Sequence, residues 1–85
     1  MIIRYSEHAA IRLTQRSCDF CLDIEEAKIR VYETIYERRT SKVKSSKHNK
    51  VFYKYYHDHL SFFVIARKKK YFWIVKSVII KEGRE

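Results

Sequence analysis

The residues best suited to chemistry lie near the start of the chain: Ser6-Glu7-His8, then Arg12 and Arg16 at successive four-residue steps. If the chain is helical from Glu7, that spacing sets one imidazole and two guanidiniums on a line, about 6 Å apart per step. This is comparable with the distance between neighbouring phosphates on a nucleic-acid strand. Guanidiniums clamp phosphate oxygens bidentately and stay charged at every working pH. An imidazole in the first turn faces the positive end of the helix dipole, where a base can operate near neutrality. A histidine beside fixed cations is the minimum needed to cleave RNA without metal. The base takes the 2′-OH proton, that oxygen attacks the adjacent phosphorus, and the cations stabilise the charge that develops. The rival reading is structural: His8 bonds a nearby backbone carbonyl while Arg12 and Arg16 pair with Glu7 or Glu25.

The charge distribution favours a polyanionic partner. The chain has 85 residues and a net charge of +9, and the two halves differ sharply. Residues 1–37 carry five basic and seven acidic side chains, whereas residues 38–81 carry thirteen basic ones and Asp58 alone. Such a field steers nucleic acid, or an acidic protein, to the second half. The expected phosphate-tracking surface is Arg38, Arg39, Lys42, Lys44, Lys47 and Lys50, joined by the Arg67-Lys68-Lys69-Lys70 turn; such contacts position a strand without reading its sequence. Lys54 and Lys76 interrupt otherwise apolar strands, so each is either an edge residue reaching water or a phosphate ligand. Tyr53, Tyr55 and Tyr56 could stack on unpaired bases or build the core. His57 and His59 flank Asp58 in a turn, either as solvated bystanders or as acid–base groups.

Several function classes drop out. With Gly83 the only glycine and no proline, neither a P-loop nor a dinucleotide-binding glycine motif can exist. Cys18 and Cys21 form one C-x-x-C without a second, so a zinc site is not expected; they read as ordinary thiols or as a local bridge. No metal and no cofactor are expected. The longest apolar run, Phe62 to Ala66, is too short to cross a bilayer, and Arg4 within the first residues argues against a secretory signal. A cytoplasmic protein of one domain, residues 1–85, is the expectation, with no membrane partner.

The elements that must position these groups follow from periodicity. Met1 to Tyr5 reads as a strand. Ser6 caps a helix over Glu7 to Arg16, with Ala9, Ala10 and Leu13 on its inner side. Ser17 to Leu22 reads as a connector. Asp23 opens a second helix, with Glu26 completing a capping box and Ile24, Ala27, Val31 and Ile35 forming the buried stripe. Thr40 to Lys50 is a loop or exposed edge strand ending in a turn at Lys47-His48-Asn49. Val51 to Tyr56, Leu60 to Arg67 and Tyr71 to Ile80 then make a meander, its middle strand apolar enough to be central. The expected fold is α+β, β-α-α-β-β-β-β, with the N-terminal strand and both helices packed on a curved antiparallel sheet.

A short strand followed by Ser6, His8, Ala9, Arg12 and Arg16 on a helix, then an acidic-capped helix and a sheet, resembles the RelE/ParE-like small toxins. The element order carries the likeness over nearly the whole chain, Ile2 to Ile80. The resemblance implies a RelE-like fold shared with barnase-like and colicin-type ribonucleases. It implies a metal-independent endoribonuclease, mRNA interferase-like, from a toxin–antitoxin system, with His8, Arg12 and Arg16 at the catalytic centre. It also implies RNA, including ribosome-associated mRNA, as substrate and an acidic antitoxin as partner. Members of this subgroup tend to carry glycine after the second arginine; here Ser17 stands there, so the helix–helix turn must differ. The alternatives are a non-catalytic nucleic-acid-binding module and a basic interaction domain for an acidic partner.

Overall fold

Seven elements follow one another along the chain: β1 (Ile2–Tyr5), α1 (Glu7–Asp19), α2 (Ile24–Tyr36), β2 (Ser41–Ser45), β3 (Lys50–Tyr55), β4 (Leu60–Lys68) and β5 (Phe72–Glu82). The computed structural model describes residues 2–37 and 49–83, and the backbone of 41–45. The architecture is α+β, as the sequence predicts, with one five-stranded sheet in the order β1-β5-β4-β3-β2. Strands β2 to β5 form the antiparallel meander, whereas β1 runs parallel to β5, with Ile3 opposite Trp73 and Tyr5 opposite Val75. The sheet is therefore mixed rather than wholly antiparallel. The expected turn at Lys47 and His48 lies outside the described residues.

Alternation along each strand sends one set of side chains to the helices and the other set away from them. Phe62, Val64 and Ala66 of β4 and Val75, Val78 and Ile80 of β5 meet Ala9 and Leu13 of α1 and Ala27, Val31 and Ile35 of α2 in one core. Phe62 and Val64 are fully enclosed, and burying a side chain of that size stabilises the fold by about 1.5–3 kcal/mol. The continuous apolar run of β4 thus marks the central strand. Ala10, placed on the inner side of α1 by spacing, is exposed, and Ser17 takes the inner position instead. The stripe runs Ala9, Leu13, Ser17, which is the four-residue step drifting round the helix.

The region read as a connector is still helical through Asp19. The Ser17 hydroxyl donates to the Leu13 carbonyl at 2.6 Å, so a buried serine is satisfied without leaving the helix. The helix then closes with a reciprocal pair of backbone bonds. Leu22 N–H donates to the Ser17 carbonyl at 2.8 Å and Cys21 N–H to that of Cys18 at 3.1 Å, with Cys21 left-handed at φ 53°. This is a Schellman motif with cysteine at the position glycine usually fills.

Both helix starts are capped by the predicted residues, but the reciprocal bond of the capping box is not made, because the Glu26 carboxylate turns to Arg30. Ser6 Oγ accepts from Ala9 N–H at 3.1 Å, and the Asp23 carboxylate accepts from Glu25 and Glu26 N–H. The Glu26 carboxylate lies 3.1 Å from Arg30 Nε. The hairpin between β3 and β4 turns at His57-Asp58-His59, with His59 left-handed at φ 67°. His59 N–H donates to the Tyr56 carbonyl at 3.0 Å, which gives the three-residue loop geometry.

Candidate nucleic-acid interface

Helix α1 carries His8, Arg12 and Arg16 on successive turns, because no residue between Glu7 and Asp19 breaks the helix. His8 and Arg12 are exposed, while Arg16, nearer the inner stripe, is half-buried. The pairing with Glu7 or Glu25 offered as the structural alternative is not made. Glu25 faces Lys28, at 3.9 Å, and among the described residues neither His8 nor Arg12 has an ion pair or side-chain hydrogen bond. Arg16 differs again: its Nε is enclosed by protein without a hydrogen-bond partner, as is the Tyr36 hydroxyl. Burial, with the neighbouring Tyr32 hydroxyl adding to it, raises the pKa of Tyr36 and keeps it neutral.

The start of α1 is fastened to the last strand. Ser6 N–H donates to the Val75 carbonyl at 3.0 Å, and the Ser6 hydroxyl reaches the Lys76 carbonyl at 3.5 Å. At that point β5 bulges, with Val75 opposite Ala66 and Ser77 opposite Ile65, leaving Lys76 unpaired between them. A bulge re-aims the side chain it carries. Lys76, half-exposed, is therefore the predicted strand cation whose backbone joins the first turn of α1. Beside it Tyr5 is desolvated by burial, which pushes its hydroxyl up to about 12 and leaves it a neutral group at this junction.

The other predicted cations divide by location. Lys54 faces the helix layer, where its ammonium pairs with the Glu37 carboxylate and lies 5.0 Å from the Tyr56 ring centre, only 18% exposed. Lys54 is thus not a free edge residue: its ammonium is paired on the helix side of the sheet with a carboxylate that itself stays exposed. Lys68, Lys69 and Lys70 are exposed at the β4–β5 turn, with Lys68 over Trp73 at 5.1 Å and Lys70 over Tyr71 at 5.3 Å. Lys50 also lies over Trp73, at 5.8 Å. Lys42 and Lys44 stand on edge strand β2 opposite Phe52 and Val51, while Arg38, Arg39 and Lys47 lie outside the described residues.

The turn histidines and the tyrosines resolve differently. Asp58 is gripped by Arg30, Nη1 to Oδ1 at 3.0 Å and Nη2 to Oδ2 at 2.7 Å. His59 Nδ1 lies 2.8 Å from the Tyr55 hydroxyl, and His57 is exposed. No acid–base unit forms around Asp58, since its carboxylate is held by a guanidinium. Tyr56 is core, its hydroxyl 2.9 Å from Glu33 Oε1 and 3.1 Å from the Arg30 carbonyl. Tyr53 and Tyr55 point to the opposite face of the sheet, since their register partners Phe63 and Ser61 alternate with the core residues of β4. Cys18 and Cys21 are exposed free thiols, and no group of three metal-ligating side chains occurs among the described residues. Nor is any described helix long and apolar enough to cross a membrane.

Sequence reasoning missed Arg30, which is 7% exposed. Its aligned position on α2 beside Glu26 was visible, but its partner Asp58 is remote in sequence. It also missed Arg4 and Lys81, whose strand alternation places them on the face away from the helices; that period-two signal could have found them. Compared with known protein families, with curated proteins and with solved structures, the chain matches none.

Proposed function

We propose that this protein binds single-stranded RNA and cleaves it without a metal ion, as an endoribonuclease toxin held in check in the cytoplasm by an acidic antitoxin. His8 takes the proton from the 2′-OH, and the freed oxygen bonds to the adjacent phosphorus. The 5′ oxygen departs with a proton from solvent, leaving a 2′,3′-cyclic phosphate, and His8 returns its own proton to water. Arg12 and Arg16 hold the phosphate oxygens, and Lys76 supplies a further cation from the bulge at the start of α1.

One observation carries the reading. His8 and Arg12 stand exposed on consecutive turns with no carboxylate partner among the described residues, whereas Lys28 and Arg30 of α2 are both paired. A guanidinium left without a carboxylate on a folded surface is available to a phosphate, and an exposed imidazole one turn away is available as a base. The exposed Lys68-Lys69-Lys70 turn adds a sequence-independent attraction that salt screens. The resemblance of Ser6, His8, Ala9, Arg12 and Arg16 to RelE/ParE-like toxins supports the same reading.

The decisive measurement is incubation of the purified protein with single-stranded RNA in the presence of a chelator. Product ends should be 2′,3′-cyclic phosphates, and His8→Ala should lower the cleavage rate by about 10²–10⁴-fold while leaving the thermal midpoint unchanged. Intact RNA after incubation with folded wild-type protein ends the nuclease reading. Salt-sensitive binding that survives His8→Ala, again without cleavage, identifies a binding module instead.

A further inference from the structure

We propose that Cys18 and Cys21 form a dithiol site at the C-terminal end of α1, which small disulfides oxidise to an intramolecular bridge. The proposal uses neither the α1 stripe nor the ribonuclease reading. Both cysteines are free and exposed. Packing therefore does not account for them, since a cysteine kept for its apolar side chain is normally buried. The backbone does not ask for them either. Cys21 occupies the left-handed position of the Schellman motif at φ 53°, where glycine sits without steric cost and a residue with a Cβ does not. A residue held in an unfavourable conformation that neither packing nor backbone requires points to the chemistry of its side chain.

The turn brings the two thiols within reach of each other. Cys21 N–H donates to the Cys18 carbonyl at 3.1 Å, and a turn closed over three residues holds its end Cα atoms less than about 7 Å apart. A disulfide spans Cα separations of about 4.4–6.8 Å. Any rotation about φ that closure asks of Cys21 takes it out of the left-handed region, which a side chain disfavours. Zinc is the other use of a C-x-x-C pair, but a zinc site takes three or four protein ligands. No group of three metal-ligating side chains occurs among the described residues. Two accessible thiols without further ligands fit thiol–disulfide exchange.

The exchange balances in two steps. One cysteine thiolate attacks a sulfur of the small disulfide and breaks its S–S bond, so that a mixed disulfide forms and the first small thiol leaves. The second cysteine thiolate attacks the protein sulfur of that mixed disulfide, closing the Cys18–Cys21 bond and releasing the second small thiol. Two protein S–H groups become one S–S bond, the small disulfide is reduced to two thiols, and the two protein protons pass to the departing sulfurs. The closed form ties the last turn of α1 to the link that leads to the Asp23 cap of α2.

The probe is oxidised glutathione, added to the reduced full chain and followed by mass spectrometry of acid-quenched samples. We expect the wild type to lose two hydrogens and stay monomeric, with amide shifts centred on residues 17–22. Cys18→Ser and Cys21→Ser, each lacking the second thiol, should instead accumulate a stable glutathione adduct. In the wild type that adduct should be shorter-lived by about tenfold or more, because the second thiol acts at an effective concentration in the millimolar range or above. A wild type left unreacted, carrying two persistent adducts, or oxidised only to disulfide-linked dimers overturns the proposal. So does an adduct as long-lived on the wild type as on the variants, or a bridge that forms only after denaturant has unfolded the chain. RNA cleavage is not read in this experiment, so its outcome is independent of His8.

Discussion

Helices α1 and α2 are each thirteen residues long and pack on the same side of the sheet, yet they use their cations in opposite ways. On α2, Arg30 is nearly buried, bonded to Glu26 and Asp58 and stacked over Tyr56 at 4.5 Å. On α1, His8 and Arg12 stay exposed and without a carboxylate partner among the described residues. Acidic residues explain the difference. Glu25, Glu26 and Glu33 fall within reach of the cations or hydroxyls of α2 and its neighbours, while Glu7 and Asp19 lie at the two ends of α1. The same residue type is architecture on one helix and a candidate ligand on the other.

The sharpest way to break this comparison is to remove one arginine from each helix. Arg30→Ala should destabilise the fold by about 2–3 kcal/mol, below the full value of a buried pair because Asp58 is about one-third exposed. Arg12→Ala should change stability by less than about 0.5 kcal/mol, since its surroundings hold no partner to strand. Denaturant titration of both variants measures the contrast, and equal losses would dissolve it. A smaller effect is expected from pH. Hydrogen bonds from Arg30, helped by its positive charge, hold the Asp58 carboxyl below its ordinary 3.8. The unfolded chain therefore takes up this proton first as pH falls. Stability from the pair is complete above the ordinary aspartate range and is lost as pH drops through the lowered value. Wild type should show a steeper acid loss of stability than Arg30→Ala, followed by chemical denaturation between pH 6 and about pH 3. The smallest effect concerns the junction of the two helices. Cys21→Gly should raise stability by about 0.5–1 kcal/mol, because glycine adopts the left-handed conformation there without strain; a lower thermal midpoint would show that the thiol is needed.

Much of the molecule was legible because local patterns and tertiary packing agree. The stripe Ile24, Ala27, Val31, Ile35 and the apolar run of β4 announced the helix face and the central strand, and Ser6 and Asp23 announced both helix starts. The length of α1 was hidden by chemistry that mimics a loop: Ser17 and Cys18 are poor helix formers in isolation, and a non-glycine C-cap gives no signal. Arg30 was illegible because periodicity reports which side a residue is on, while its burial depends on a carboxylate 28 positions away. At the candidate site, spacing alone placed His8, Arg12 and Arg16 on one helix. Spacing could not show that a bulge brings the Lys76 backbone to the same helix end, because a bulge is a mismatch between two strands.

The parallel pairing of β1 with β5, sealed by Ser6 N–H on the Val75 carbonyl, also constrains how the chain reaches its native form. The opening segment can dock only once residues some seventy positions later have been synthesised and have joined β4. Closing so wide a loop carries an entropic cost that the meander alone avoids. The hairpins β3–β4 and β4–β5 are therefore the natural nucleus, with β1 and the first turn of α1 arriving late. That same docking supplies the bond from Ser6 to Val75, and so fixes the residue that caps the turn carrying His8.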